Sequence, residues 1–295
     1  MRSDDHIARY YDRNTPRFLL VGGGGTSHSI HRQLWAPGVV TVADASAYIN
    51  LLIANTIKEL GLTDPLSVVD MGCGVGGTVF QLAETFPASR FVGITISQRQ
   101  YDIAVRLTAQ RNLGNRCRFV RGDFQTIELD VKADLIVAIE SFVHSDSAES
   151  FFTAATKHLW DGGYLMVADD FLTGSWSRLN DVTQCHVEDF KMGWRLPSLC
   201  TIEECVRAAE ECNLEMTTDA ELSNLIRLDR LRDRVIKRLS PLFQRLNLIS
   251  LPLFGNMIGG NALQIGLRKG FLQYHLLVMK KQGAGQSAQT HSETH

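Results

Sequence analysis

Short apolar runs alternate with helically spaced apolar stripes from about residue 67 to 170. Ser67–Met71, Arg90–Thr95, Cys117–Arg121, Ala133–Ile139 and Gly163–Asp169 are largely apolar segments of strand length, as expected of strands covered on both faces. Between them, Gly76–Thr85, Gln98–Asn112 and Ser147–Leu159 repeat their apolar residues at helical spacing, with Pro87 and Gly114 marking two of the ends. Strands that alternate with helices predict an α/β fold: a doubly wound, mostly parallel sheet. Ligands of such sheets bind at the carboxyl ends of the strands.

The pattern loosens on either side. Ala43–Leu60 reads as an amphipathic helix ended by Gly61, and Ile7–Leu20 as a helix interrupted near Pro16. Gly22–Gly25 predicts a flexible loop. Beyond Phe171, Trp176–Leu199 shows no clean period. Thr201–Cys212 predicts a helix capped by Thr201, with Glu204 completing a capping box. Arg227–Leu246 is a second helical pattern, with Leu228, Leu231, Val235 and Leu239 as its apolar face. Leu246–Ile258 is apolar but broken by Gly and Pro, which suggests a mobile wall, and Gln273–Lys280 returns to strand character. The domains expected are an arm and lid over 1–47, a ligand-binding core over 48–175, an acceptor-binding cap over 176–262, a return to the sheet over 263–282 and a disordered tail over 283–295. No internal repeat is visible.

Composition narrows the function classes. The 295 residues are 44% hydrophobic, enough for a large core, and a net charge of −2 gives no electrostatic case for nucleic acid. The six cysteines form no C-x-x-C pair, which argues against a zinc site and a disulfide framework and makes a reduced cytoplasm the default. The first residues lack the apolar core of a signal peptide, and no apolar run reaches the roughly 18 residues that span a bilayer. His28, His31 and His144 are an alternative metal set, but three scattered histidines without a cysteine are a weak one, and no metal is expected.

The densest chemistry lies in Val68 to Phe80, Val-Val-Asp-Met-Gly-Cys-Gly-Val-Gly-Gly-Thr-Val-Phe. An apolar strand ends in an acid, a glycine-rich turn lets backbone approach a ligand, and a helix N-terminus follows. This layout resembles the first motif of the S-adenosylmethionine-dependent methyltransferases of Rossmann-like fold. Gly72, Gly74 and Gly77 also satisfy the dinucleotide pattern G-x-G-x-x-G. That pattern calls for an acid about 20 residues on, whereas Arg90 to Ser97 ends with Thr95 and Ser97. In the methyltransferase reading, Asp70 steers the methionine end of the cofactor.

Further segments narrow the resemblance. Gly-Ile-Thr-Ile-Ser-Gln-Arg-Gln, Gly93 to Gln100, is similar to the Gly-Val-Thr-Leu-Ser-x-x-Gln stretch of sterol C-methyltransferases, cyclopropane fatty acid synthases and geranyl diphosphate C-methyltransferase. Ala-Ile-Glu-Ser-Phe-Val-His, Ala138 to His144, resembles the sterol enzymes' Ala-Ile-Glu-Ala-Thr-Cys-His. Tyr10-Tyr11-Asp12 resembles their opening Tyr-Tyr-Asp, and Arg268 to Tyr274 resembles the prenyl diphosphate enzymes' terminus. The resemblance implies S-adenosyl-L-methionine as cofactor, held by Tyr11, Asp70, Gly72, Cys73, Gly74, Thr95, Ile96, Gln100, Asp123, Phe124 and Glu140. Thr95 and Gln100 stand where related enzymes elsewhere use a ribose-binding acid, and Asp123 with Phe124 suits an adenine.

Glu140, His144 and Asp170 are the catalytic candidates, all near strand ends. Trp35, Trp176, Phe190 and Trp194 are aromatics available to a cationic intermediate. Arg227, Arg230, Arg234 and Arg238 form a basic stripe whose readings are a solvated helix face, a diphosphate clamp or a membrane contact. The function expected is methyl transfer to a small hydrophobic acceptor, by carbon methylation of a prenyl or terpenoid chain. The alternatives are O- or N-methylation of a natural product, a dinucleotide-dependent oxidoreductase, and a binding module that retains the pocket. A homo-oligomer is compatible with the sequence.

Overall fold

The computed structural model describes residues 3–21, 28–229, 231–245 and 252–283. The expectations for Gly22–Gly25, Arg230, the first part of the broken wall (246–251) and the tail from residue 284 lie outside these residues. Five parallel strands, β1 (Ser67–Met71), β2 (Arg90–Thr95), β3 (Cys117–Arg121), β4 (Ala133–Ile139) and β5 (Leu159–Leu172), are joined by β6 (Leu214–Glu221) and β7 (Leu272–Lys281). The sheet order is β3-β2-β1-β4-β5-β7-β6, with β7 antiparallel to both its neighbours. The predicted doubly wound sheet is therefore present. The chain runs outward from β1 to β3, then restarts at β4 on the other side of β1. That reversal opens a crevice beyond the ends of β1 and β4, where such sheets bind ligands.

Side chains alternate across the strands and build a core on each face. Val69 and Met71 of β1 face one core together with Phe142, Phe151, Phe171 and Phe190. Val68 faces the other, with Ile49 and Ile53 of α2 (Val42–Glu59) and with Phe80 of α3 (Gly77–Thr85). Ser97 caps α4 (Gln98–Gln110), Ser147 caps α5 (Ala148–His158), and Thr201 with Glu204 forms the predicted capping box on α7 (Ile202–Glu211).

Five elements depart from the sequence expectations. Helix α1 (Ser3–Val21) continues through Pro16. Side chains anchor it on both sides: the Tyr10 hydroxyl bonds Asn256, and Asp12 accepts from Ser97 Oγ at 2.5 Å and from the Arg99 amide at 3.1 Å. These tertiary bonds offset the one lost at proline. Residues 181–194, without a clean period in sequence, form α6 (Asp181–Trp194), and the described part of the expected broken wall, 252–258, opens α9 (Pro252–Lys269). The glycines that look like breakers let the two helices cross closely. A Cβ at Gly193 would lie 2.5 Å from the Gly255 oxygen and 2.6 Å from the Gly259 Cα. Within the expected insertion 176–262, β6 pairs with β7 and so belongs to the sheet. Finally, α8 (Leu231–Arg245) turns Val235 and Leu239 outward, 57% and 38% exposed, and buries Asp233 and Ser240 instead.

Candidate active site

The turn after β1 is built to hold backbone close to a ligand. Gly72 has φ +90°, and a Cβ there would lie 2.4 Å from the Ser141 Cβ, so only glycine fits. Ser141 in turn donates to the Met71 carbonyl, which ties the ends of β1 and β4 together. Asp70 is 3% exposed beneath this turn, and its Oδ2 has no partner among the described residues. Burial alone raises its carboxyl to about 7. A buried carboxylate oxygen without a donor calls for one from outside the chain.

A cavity of about 820 Å³ opens beside the turn. Tyr11, Gly72, Cys73, Gly74, Thr95, Ile96, Gln100, Asp123, Phe124 and Glu140 all line it, whereas Asp70 lies behind the lining. Thr95 Oγ1 donates to Gln100 Oε1 at 2.7 Å, which fixes the glutamine at the first turn of α4. The Asp123 carboxylate accepts from the Gln125 amide at 2.9 Å, and Phe124 packs edge-on against Phe151. An acid and an aromatic wall thus stand together at the β3 end.

The catalytic candidates also converge on the cavity, but in a network that the sequence did not reveal. Glu140 has φ +53°, a conformation that non-glycine residues adopt at a cost. Its Oε1 accepts from the Arg32 amide at 2.6 Å and from the Tyr274 hydroxyl at 3.3 Å. The Arg32 guanidinium forms a two-pronged ion pair with Asp170, Nη2 to Oδ2 being 2.7 Å, and stacks 4.7 Å above the Tyr274 ring. Burial opposes the Arg32 charge, but Asp170 and Glu140 more than restore it. Asp170, a catalytic candidate from sequence, is therefore engaged by a guanidinium. Its neighbour Asp169 accepts from the amides of Val143 and Asp170, and burial raises its carboxyl well above the usual range.

His144 Nε2 lies 2.7 Å from the Tyr11 hydroxyl. Burial pushes the His144 pKa down to about 4, against a smaller contribution from the Arg195 backbone, so the ring is neutral near pH 7. His31 bonds Thr78 Oγ1 at 2.8 Å, and burial lowers its pKa as well. No group of three or more His, Cys, Asp or Glu among the described residues is placed to hold a metal.

The cavity is also lined by the apolar Ile30, Phe190, Trp194, Leu196, Ile236, Met257, Leu263 and Leu267, with Asn256, Asn261 and Gln264 of α9 among them. Two of the four candidate aromatics, Phe190 and Trp194, are thus in place. Trp35 instead carries the Arg227 guanidinium 3.8 Å above its ring, and Trp176 is 41% exposed beside a separate shallow pocket. Sequence reading missed Arg32, Tyr274 and the α9 lining beyond Ile258, whereas it places Asp169 beside Asp170 as a residue at the end of the fifth strand that faces the acceptor. Arg32 has no motif around it, while Tyr274 lay in a segment already singled out.

Residues 68–163 match the family model described as "Methyltransferase domain". This segment is a methyltransferase domain. The domain holds β1 to β4 with the start of β5, and so the glycine-rich turn, the Asp123–Phe124 pair and Glu140. Over 219 residues, or 74% of the chain, the sequence is 25% identical to sterol 24-C-methyltransferase ERG6A of Gibberella zeae, of which that stretch covers 55%. The chain thus spans about half the length of that relative. Mycolic acid cyclopropane synthase CmaA1, solved with SAH and CTAB, superposes over 94% of this chain and 98% of its own, with TM-score 0.74 and 18% identity. Geranyl diphosphate C-methyltransferase from Streptomyces coelicolor A3(2), solved with magnesium, geranyl diphosphate and S-adenosyl-L-homocysteine, superposes over 95% and 98%, with TM-score 0.70 and 19% identity. The methyltransferase domain therefore sits in a chain of class I, S-adenosylmethionine-dependent methyltransferase fold.

Proposed function

We propose that the chain transfers a methyl group from S-adenosyl-L-methionine to a carbon of a hydrophobic, isoprenoid-type acceptor. The observation that carries this is one continuous cavity joining the glycine-rich turn to the apolar wall of Phe190, Trp194 and α9. The polar end fits the cofactor. Asp70 offers a buried carboxylate oxygen for an ammonium group, Gln100 and Thr95 suit a ribose, and Asp123 with Phe124 suits an adenine. When bound, the cofactor supplies an electrophilic methyl on a sulfonium.

The chain's part is to align the two molecules, exclude water and manage a proton. An alkene that gains a methyl becomes a carbocation. The faces of Trp194, Phe190 and Tyr11 and the carboxylate of Glu140 would stabilise it. Glu140, directly or through water, would take the proton that restores the alkene. Asp170 holds Arg32 and so acts through the frame of the site. The runner-up, O- or N-methylation, rests on His144: a neutral imidazole bonded to Tyr11 can accept a proton from a hydroxyl or amine.

The test is methyl transfer with a labelled donor across sterols, prenyl alcohols, prenyl diphosphates, phenols and amines, with product structure by NMR. Label on carbon is expected, from an isoprenoid acceptor. Label only on oxygen or nitrogen would overturn the reading in favour of the runner-up.

A further inference from the structure

The outer face of α8 is left unexplained by the site. At about 100° per residue, Arg234, Arg238 and Arg245 fall within about 40° of one another, and Val235 and Leu239 occupy the adjoining arc. All five are exposed, with Val235 at 57% and Leu239 at 38%. The opposite arc carries Asp233 and Ser240, both buried, with Ile236 and Phe243 half-buried. Phe243 packs against Phe254 of α9 at 4.8 Å, so this inner arc is the one seated on the protein. Helix α8 is also a wall of the cavity, to which Asp233, Val235 and Ile236 contribute. Val235 therefore stands at a mouth, both lining the cavity and facing outward.

A stripe of arginines beside outward-facing aliphatic side chains suits the interface of a bilayer, where guanidinium groups meet lipid phosphates and the apolar residues enter the acyl boundary. No helix among the described residues is long and apolar enough to cross a membrane. The net charge of −2 means that the attraction is local to this face. We propose that the outer face of α8 docks on an anionic lipid bilayer and that the acceptor enters the cavity past Val235 from that surface. The proposal deepens the functional reading, resting on it only for the acceptor's lipophilic character.

Flotation with vesicles tests the docking without an acceptor. Vesicles of phosphatidylcholine alone are compared with vesicles carrying roughly one-third phosphatidylglycerol, at low and at high salt. The wild-type chain is expected to partition at least about tenfold more strongly onto the anionic vesicles, and to lose that preference at high salt. Arg234→Glu with Arg238→Glu is expected to lower partitioning roughly tenfold, and Leu239→Asp to lower it several-fold. Melting temperature and S-adenosylhomocysteine affinity report folding and the cofactor site separately, and neither is expected to change. Failure of the methyltransferase reading would appear in the affinity measurement and not in flotation. Equal partition onto neutral and anionic vesicles, or variants that bind as well as the wild type, would overturn the proposal. So would a self-association abolished by Leu239→Asp with no vesicle binding, which would make the face a contact between copies of the chain.

Discussion

Glu140 sits in a left-handed conformation at the end of β4, with one carboxylate oxygen held by Arg32 and Tyr274. Such a conformation persists only where its surroundings over-determine it, and here those surroundings face the cavity. Glu140→Gln is expected to lower kcat by at least about 100-fold while changing S-adenosylhomocysteine affinity only a few-fold, which marks loss of a transition-state interaction. Steady-state kinetics with an acceptor that the labelled-donor panel yields, together with calorimetry, checks this. Loss of cofactor affinity in step with kcat would count against the assignment. Asp70 yields a pH prediction. Its carboxyl, raised to about 7 by burial, must lose a proton to pair with an ammonium group. Affinity for S-adenosylhomocysteine should therefore fall as pH drops from about 8 to about 6. Asp70→Asn should flatten that profile and weaken binding at least tenfold at pH 8, about 1.4 kcal/mol. Titration calorimetry across this range decides it, and a flat wild-type profile would remove Asp70 from the binding chemistry.

At the scale of elements, α1 is held at two distant points, the α4 N-terminus through Asp12 and α9 through Tyr10 and Asn256. Between them Tyr11 reaches His144 and lines the cavity. A helix that lines the cavity through Tyr11 and is anchored on both sides should be held more firmly when ligand fills the cavity. Hydrogen exchange is expected to show stronger protection of the amides in residues 7–21 and 28–35 when S-adenosylhomocysteine is added. Unchanged protection in both segments would mean that the helix serves another purpose. Helices α6 and α9 show a second device, in which small residues replace bulk at a crossing and seat Trp194 and Met257 in the cavity wall. The glycines of α9 read as interruptions in one dimension because their use, close approach of two backbones, exists only once α6 is beside them.

Across the whole molecule, the strand reversal between β1 and β4 places the glycine-rich turn and the polar strand ends at the cavity, and the helices α1, α6, α8 and α9 supply further lining, much of it apolar. Local chemistry made the first set legible from the chain alone. Buried parallel strands leave apolar runs, a tight ligand-approaching turn needs glycine, and the polar residues at successive strand ends follow those runs at short distance, so fold class and Asp70, Thr95, Gln100, Asp123 and Glu140 could be named. The second set depends on contacts between residues far apart in sequence, which leave little periodic signal. Arg32 meets Asp170 and Tyr274 across 138 and 242 positions, an ion pair and a ring contact with no local motif. Pairing decided that Asp170 meets the Arg32 guanidinium, and packing decided that α8 turns its expected apolar face outward. An amphipathic pattern tells which residues share a face, whereas only the neighbours that a helix finds determine which of its faces is covered.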